Sequence, residues 1–114
     1  MPSCLIVEDE ALIGMVLADC LEDAGHHVLG PIDKGSAVLE ALARLKPDMA
    51  ILDTQLRDGP SYDVAIELRR RGVPFVIYSG HQRTKTPHPA YAESPWIEKP
   101  AAPTDVLAAF RSFG

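Results

Sequence analysis

The chain has no excess of positive charge. Eleven Lys and Arg stand against sixteen Asp and Glu in 114 residues, a formal net charge of −5. Binding to nucleic acid by charge is therefore not expected. The one basic cluster, Arg69-Arg70-Arg71, falls near the end of an expected helix, where cations complement the helix dipole. Cysteine is scarce. Cys4 and Cys20 form no CxxC pair and no metal-ligand spacing, so both read as buried, reduced thiols of a cytoplasmic protein. No apolar run is long enough to cross a membrane. A first strand starting near residue 3 leaves no room for a signal peptide. Glycine-rich phosphate loops, repeats, linkers and low-complexity stretches are also missing. The expectation is a single domain over residues 1–114 with no output domain attached, and a hydrophobic fraction of 46% able to form a core.

Short apolar runs alternate with helical patterns, which argues a parallel sheet with crossover helices. Strands are expected at Cys4–Val7, His27–Gly30 (closed by Pro31), Met49–Leu52, Phe75–Ser79 and Trp96–Glu98. The first helix spans about Glu10–Ala24, with Ile13, Leu17, Cys20, Leu21 and Ala24 as its buried stripe and Gly25 at its end. The second covers about Gly35–Leu45, with Val38, Leu39, Leu42 and Leu45 inward and Lys46-Pro47 as its stop. Asp58-Gly59-Pro60 marks a turn. A third helix runs over about Ser61–Arg71, with Val64, Ala65 and Leu68 inside, and ends at Gly72. A fourth helix should fill Gln82–Ala92, but Pro87 and Pro89 sit in its middle, each costing roughly 3 kcal/mol in a helix interior. That helix is expected to be missing or cut to about a turn. The last helix starts near Pro103-Thr104, with Val106, Leu107 and Phe110 inward.

Five polar side chains fall at the ends of these strands. Glu8 and Asp9 follow the first, Asp53 the third, Ser79 ends the fourth, and Lys99-Pro100 follow the fifth. In a parallel sheet all emerge at one edge, where open α/β sheets bind ligands. Two carboxylates about 4 Å apart repel by roughly 4 kcal/mol at an effective dielectric near 20, which a cation between them would relieve. Hard oxygen ligands favour Mg²⁺. Glu8-Asp9 alone could simply complement the dipole of the following helix; Asp53 in the same sheet tips the balance toward a metal site. Asp53 is the candidate nucleophile, since a carboxylate can accept a phosphoryl group as an aspartyl phosphate. Three phosphoryl oxygens then need neutralising: by Mg²⁺, by the Lys99 ammonium and by the Ser79 hydroxyl.

Val7-Glu8-Asp9-Glu10, Leu52-Asp53, Ser79-Gly80 and Glu98-Lys99-Pro100 together resemble the CheY-like receiver domain of two-component response regulators. The resemblance covers the whole chain. It implies a doubly wound, flavodoxin-like five-stranded parallel sheet in order 2-1-3-4-5. A narrower likeness lies in Asp53-Thr54-Gln55-Leu56, Ser61-Tyr62 and Pro74-Phe75-Val76-Ile77-Tyr78-Ser79-Gly80-His81. These resemble stand-alone alphaproteobacterial receivers of the PFxFATGY type, with Ser79 in place of the motif threonine and His81 in place of its tyrosine. The resemblance implies phosphoryl transfer from a histidine kinase to Asp53. It also implies Mg²⁺ on Asp9, Asp53 and the Gln55 backbone carbonyl, with Glu8 acting through water. The Lys99–Pro100 peptide would be cis. Trp96 takes the place of the switch aromatic that turns inward when Ser79 moves. Gln55 and His81 flank the path of attacking water and are expected to tune the lifetime of the phosphoryl group.

Kinase specificity is expected near Leu12, Ile13 and Met15 and in the loop Pro100–Pro103, although these apolar side chains could equally be core. The broken fourth helix falls on the face that pairs subunits or docks output partners in many receivers, so a monomer is expected. That monomer would exchange phosphate with the kinase or a phosphotransferase, or engage a downstream protein. It is not expected to be an enzyme beyond catalysing its own phosphorylation and dephosphorylation. A rival reading is a binding module that works without phosphorylation; intact Asp9, Asp53, Ser79 and Lys99 speak against it. A flavin binder would want a phosphate loop where Glu8-Asp9-Glu10 stand. A haloacid-type phosphatase would want a DxD pair after its first strand.

Overall fold

The computed structural model describes residues 2–113. Strands β1 (Ser3–Val7), β2 (His27–Ile32), β3 (Met49–Leu52), β6 (Phe75–Ser79) and β7 (Trp96–Glu98) form one sheet in the order β2-β1-β3-β6-β7. All of its pairings are parallel. Strands β4 (Gln55–Leu56) and β5 (Gly59–Pro60) make a separate two-residue hairpin. With that hairpin set aside, the sheet order is the expected 2-1-3-4-5.

Period-two alternation sorts the side chains of the inner strands to two faces. Leu5, Val7, Ala50, Leu52, Phe75 and Ile77 join one core cluster with α2 (Gly35–Leu42) and α3 (Tyr62–Arg70). Cys4, Ile6, Ile51, Val76 and Tyr78 join the other with α1 (Ala11–Asp23) and α4 (Pro103–Ala108). Strands covered on both faces read as continuous apolar runs, so these segments were legible in the sequence. The chain leaves the carboxyl ends of β1, β3, β6 and β7 at one edge, carrying Glu8-Asp9, Asp53, Ser79 and Lys99 there.

The region between β6 and β7 holds only a single 3-10 turn, Pro89–Tyr91. Its proline sits in the first position, where a missing N–H costs nothing. His88 Nδ1 caps it by accepting from Ala90 N at 3.1 Å. The expected loss of the fourth helix is thus observed.

Several boundaries differ from expectation. Strand β2 does not stop at Pro31 but continues to Ile32 through a register shift opposite Leu5–Val7. As an edge strand it tolerates proline at an irregularity. Gly30 adopts φ +93°, and the Gly30–Pro31 peptide is cis, as is Lys99–Pro100. The continuation matters for the site, because Ile32 O accepts from Glu8 N at 3.0 Å. Helix α2 ends at Leu42 rather than Leu45, and the Arg71 guanidinium takes the Leu42 carbonyl at 2.6 Å. Leu39 and Ala24 are exposed rather than inward, each lying just off its helix's buried stripe. Cys4 is buried, but Cys20 is only partly so. Burial pushes the Cys4 thiol up to about 12.

Candidate phosphoacceptor site

Four carboxylates converge at the sheet edge. One oxygen from each of Glu8, Asp9, Glu10 and Asp53 lies within 4.8 Å of the others. Lys99 reaches into this cluster from the end of β7. Its Nζ stands 2.7 Å from Glu8 Oε1, 2.8 Å from Glu10 Oε2 and 2.9 Å from Asp53 Oδ2. Burial alone would lower the Lys99 pKa; its hydrogen bonds to Glu10, Glu8 and Asp53 outweigh that and raise it. Glu8 is nearly fully enclosed. Burial first, then the neighbouring Asp53 carboxylate, pushes its pKa up to about 8 against the pull of Lys99. The Glu8 side chain folds back so that Oε2 accepts from Glu10 N at 3.2 Å.

Asp53 is 6% exposed. Its backbone N–H donates to Val7 O at 3.0 Å, which fixes the end of β3 against β1. Thr54 N donates to Asp53 Oδ1 at 2.7 Å, and Gln55 N approaches the same oxygen at 3.5 Å. Oδ2 faces Lys99. The carboxylate is thereby held across the mouth of the cluster.

Ser79 lies beside this group without touching it. Its hydroxyl pairs with Thr54 Oγ1 at 2.7 Å and accepts from His81 N at 3.1 Å. The His81 carbonyl in turn accepts from Trp96 Nε1 at 2.9 Å, so the indole is half-buried with its N–H tied to the loop. Gln55 and His81 are exposed on either side of Thr54 and border one pocket with Trp96.

The structure therefore gathers Glu8, Asp9, Asp53 and Lys99 as expected and adds Glu10, which the sequence placed only within a motif. Three further residues had no role assigned from the sequence. Thr54 holds Ser79. Ser61 Oγ donates to the Asp53 carbonyl at 2.6 Å, and Tyr91 OH lies 2.8 Å from Ser61 Oγ. Thr54 and Ser61 stood only inside the quoted motif segments and Tyr91 in none, because isolated Ser, Thr and Tyr in loops carry no periodicity that marks a contact. Next to the site, Leu12, Ile13, Val16, Tyr78, Pro100 and Pro103 line one apolar groove. Leu12 and Met15 are 78% and 59% exposed, which removes the core reading for both.

The donor set suits a hard divalent cation. The clustered side-chain donors are carboxylate oxygens, at a distance where repulsion calls for a positive charge.

Residues 4–111 match the model of the response regulator receiver domain family. The chain belongs to that family. Over its full length the receiver is similar to SdrG from Sphingomonas melonis Fr1. The two are 34% identical, the match covers 97% of each chain, and the TM-score is 0.79. It is also similar to SdrG in a BeF3-activated conformation, with a TM-score of 0.76 over 95% of this chain and 94% of that one. The transcriptional regulatory protein PdtaR of Mycobacterium tuberculosis is 36% identical over 74 residues, 64% of this chain. The match covers only 36% of PdtaR's own length. Among the described residues no helix is long and apolar enough to cross a membrane.

Proposed function

We propose that the receiver accepts a phosphoryl group on Asp53 from the phosphohistidine of a histidine kinase, in a Mg²⁺-dependent step. The supporting observation is the Asp53 carboxylate, held at a strand end with Lys99 Nζ 2.9 Å away and three more carboxylates around it. Asp9 and Asp53 would hold the cation, with the Gln55 carbonyl, and Glu8 through water. When bound, the ion would neutralise charge on the phosphoryl oxygens. An Asp53 oxygen attacks phosphorus; the P–O bond forms as the P–N bond breaks, and the imidazole leaves. Lys99 holds one phosphoryl oxygen. Ser79 donates to another, and to do so it must leave Thr54 and the His81 amide. Because the His81 carbonyl holds Trp96, that move reaches the indole through one residue's backbone. Gln55 and His81 border the approach of hydrolytic water and set the lifetime of the aspartyl phosphate.

The groove of Leu12, Ile13 and the Pro100–Pro103 loop opens beside Lys99 and is the proposed docking surface for the kinase. The receiver is proposed to act as a monomer of the stand-alone PFxFATGY type, shuttling phosphate or engaging a downstream protein without turnover of a metabolite.

Titration with Mg²⁺ and then beryllofluoride, followed by Trp96 fluorescence and by calorimetry, tests the central claim. A saturable change in the wild type that disappears in Asp53→Asn is expected. A wild type that binds neither by calorimetry would overturn it in favour of a phosphorylation-independent binding module.

A further inference from the structure

The segment that lost its helix reaches back to the phosphoacceptor. Ser61 has one hydroxyl proton, and it is used on the Asp53 carbonyl at 2.6 Å. The 2.8 Å contact between Ser61 Oγ and Tyr91 OH must then have Tyr91 as donor. The result is a directed relay, Tyr91 O–H to Ser61 Oγ–H to Asp53 O. The next carbonyl along, Thr54 O, accepts from Ser61 N at 3.0 Å and lies 3.4 Å from the same Tyr91 hydroxyl. Ser61 is 1% and Tyr91 4% exposed, so water is poorly placed to substitute for either hydroxyl. A buried acceptor that loses its donor carries the full desolvation cost.

Tyr91 is itself well held. The Arg69 guanidinium donates to the Ala90 carbonyl at 3.0 Å, and the Tyr91 ring meets Trp96 edge-on at 6.0 Å and Tyr62 at 5.4 Å. The contacts close a circuit, from Asp53 through Ser61, Tyr91, Trp96, His81, Ser79 and Thr54 back to Asp53.

We propose that Tyr91 is a positioning residue whose hydroxyl, acting through Ser61, holds the Asp53–Thr54–Gln55 backbone in the geometry that accepts a phosphoryl group. This rests on the phosphoacceptor reading above. The helix-less segment is thereby part of the site's framework rather than a loop beside it, and its order and the site's affinity rise and fall together.

Tyr91→Phe removes the hydroxyl and keeps the ring. Calorimetric affinity for beryllofluoride in saturating Mg²⁺ is expected to weaken about fivefold, the equivalent of one hydrogen bond of about 1 kcal/mol. Ser61→Ala should weaken it as well, and the double variant should be no weaker than the weaker single one, since both cut the same relay. Amide exchange at Thr54 and Gln55 should quicken in Tyr91→Phe even without metal. Wild-type affinity in Tyr91→Phe, or strictly additive losses in the double variant, would overturn the proposal. If the wild type fails to bind beryllofluoride, the phosphoacceptor reading falls. The relay is then judged by amide exchange alone, and unchanged exchange at Thr54 and Gln55 sinks it too.

Discussion

At the scale of single residues, the site shows function set against stability. Glu8 is enclosed beside Asp53, and burial followed by that neighbour raises its pKa from 4.5 to about 8. A folded-state pKa above the unfolded value means that the native state binds more protons through that interval. The stability Glu8 contributes is present below about 4.5 and is lost as pH rises toward about 8. The exposed carboxylates Asp48 and Asp58 and the half-buried Glu67 are shifted the other way, chiefly by hydrogen bonds from Ser3, from Ser36 and from Arg70. Their effect comes as pH falls below the ordinary carboxylate range, outside the Glu8 window. With metal chelated, the urea midpoint of the wild type should therefore fall between pH 5 and pH 8 relative to that of Glu8→Gln. Parallel midpoints in the two proteins would show that Glu8 ionises as freely folded as unfolded. Glu8 could be picked from sequence because it ends an apolar strand. The roles of Ser61, Thr54 and Tyr91 could not, because the hydroxyl contacts that tie them to Tyr91, Ser79 and Thr54 span 25 to 37 residues and are set only by packing.

At the scale of elements, packing decides what propensity left open. The missing helix was legible, since Pro87 and Pro89 forbid it locally whatever the fold prefers. The continuation of β2 past Pro31 was not, because it depends on how that edge meets α1. Gly14 lies on the buried face of α1, and a Cβ placed there would stand 2.7 Å from Pro31 Cγ and 3.0 Å from Pro31 Cβ. Gly14 thus lets the helix close on the end of β2, whose Ile32 carbonyl anchors the Glu8 amide. Gly14→Ala gains helix propensity of about 1 kcal/mol, but overpacking against a ring costs about 1–3 kcal/mol. The clash should win, because Pro31 is a rigid ring and not a flexible chain end. Chemical denaturation of Gly14→Ala should give a net loss of stability, and a gain would mean that the helix moves away freely. The hairpin Gln55–Leu56/Gly59–Pro60 was foreseen only as a turn. Asp58 holds it in place by accepting from the Gly35 and Ser36 amides at 2.8 and 3.1 Å, bonds that span 23 and 22 residues.

At the scale of the whole molecule, the two core clusters and the sheet between them bring Glu8, Asp9, Glu10 and Asp53 to one edge with Lys99 as their only cation within 4.0 Å among the described residues. Even with Glu8 largely protonated near neutral pH, three further acidic groups against one ammonium leave a local excess of negative charge in a chain whose net charge is already −5. The fold holds part of that repulsion because β1 and β3 are buried strands paired to each other, so Glu8 and Asp53 at their ends cannot move apart without disturbing the sheet. A divalent cation would relieve it, and binding to the native state alone stabilises by about 2.7 kcal/mol at a ligand concentration 100 times Kd. Asp9 separates the two effects, being in the acidic cluster but without an ion pair to Lys99. In chelator, Asp9→Asn should be at least as stable as the wild type, since one repelling charge is gone. In Mg²⁺ well above Kd the order should reverse, with the wild-type melting temperature rising and that of the variant rising less. Equal Mg²⁺ responses in the two proteins would remove Asp9 from the cation site, and a wild type indifferent to Mg²⁺ would remove the site itself.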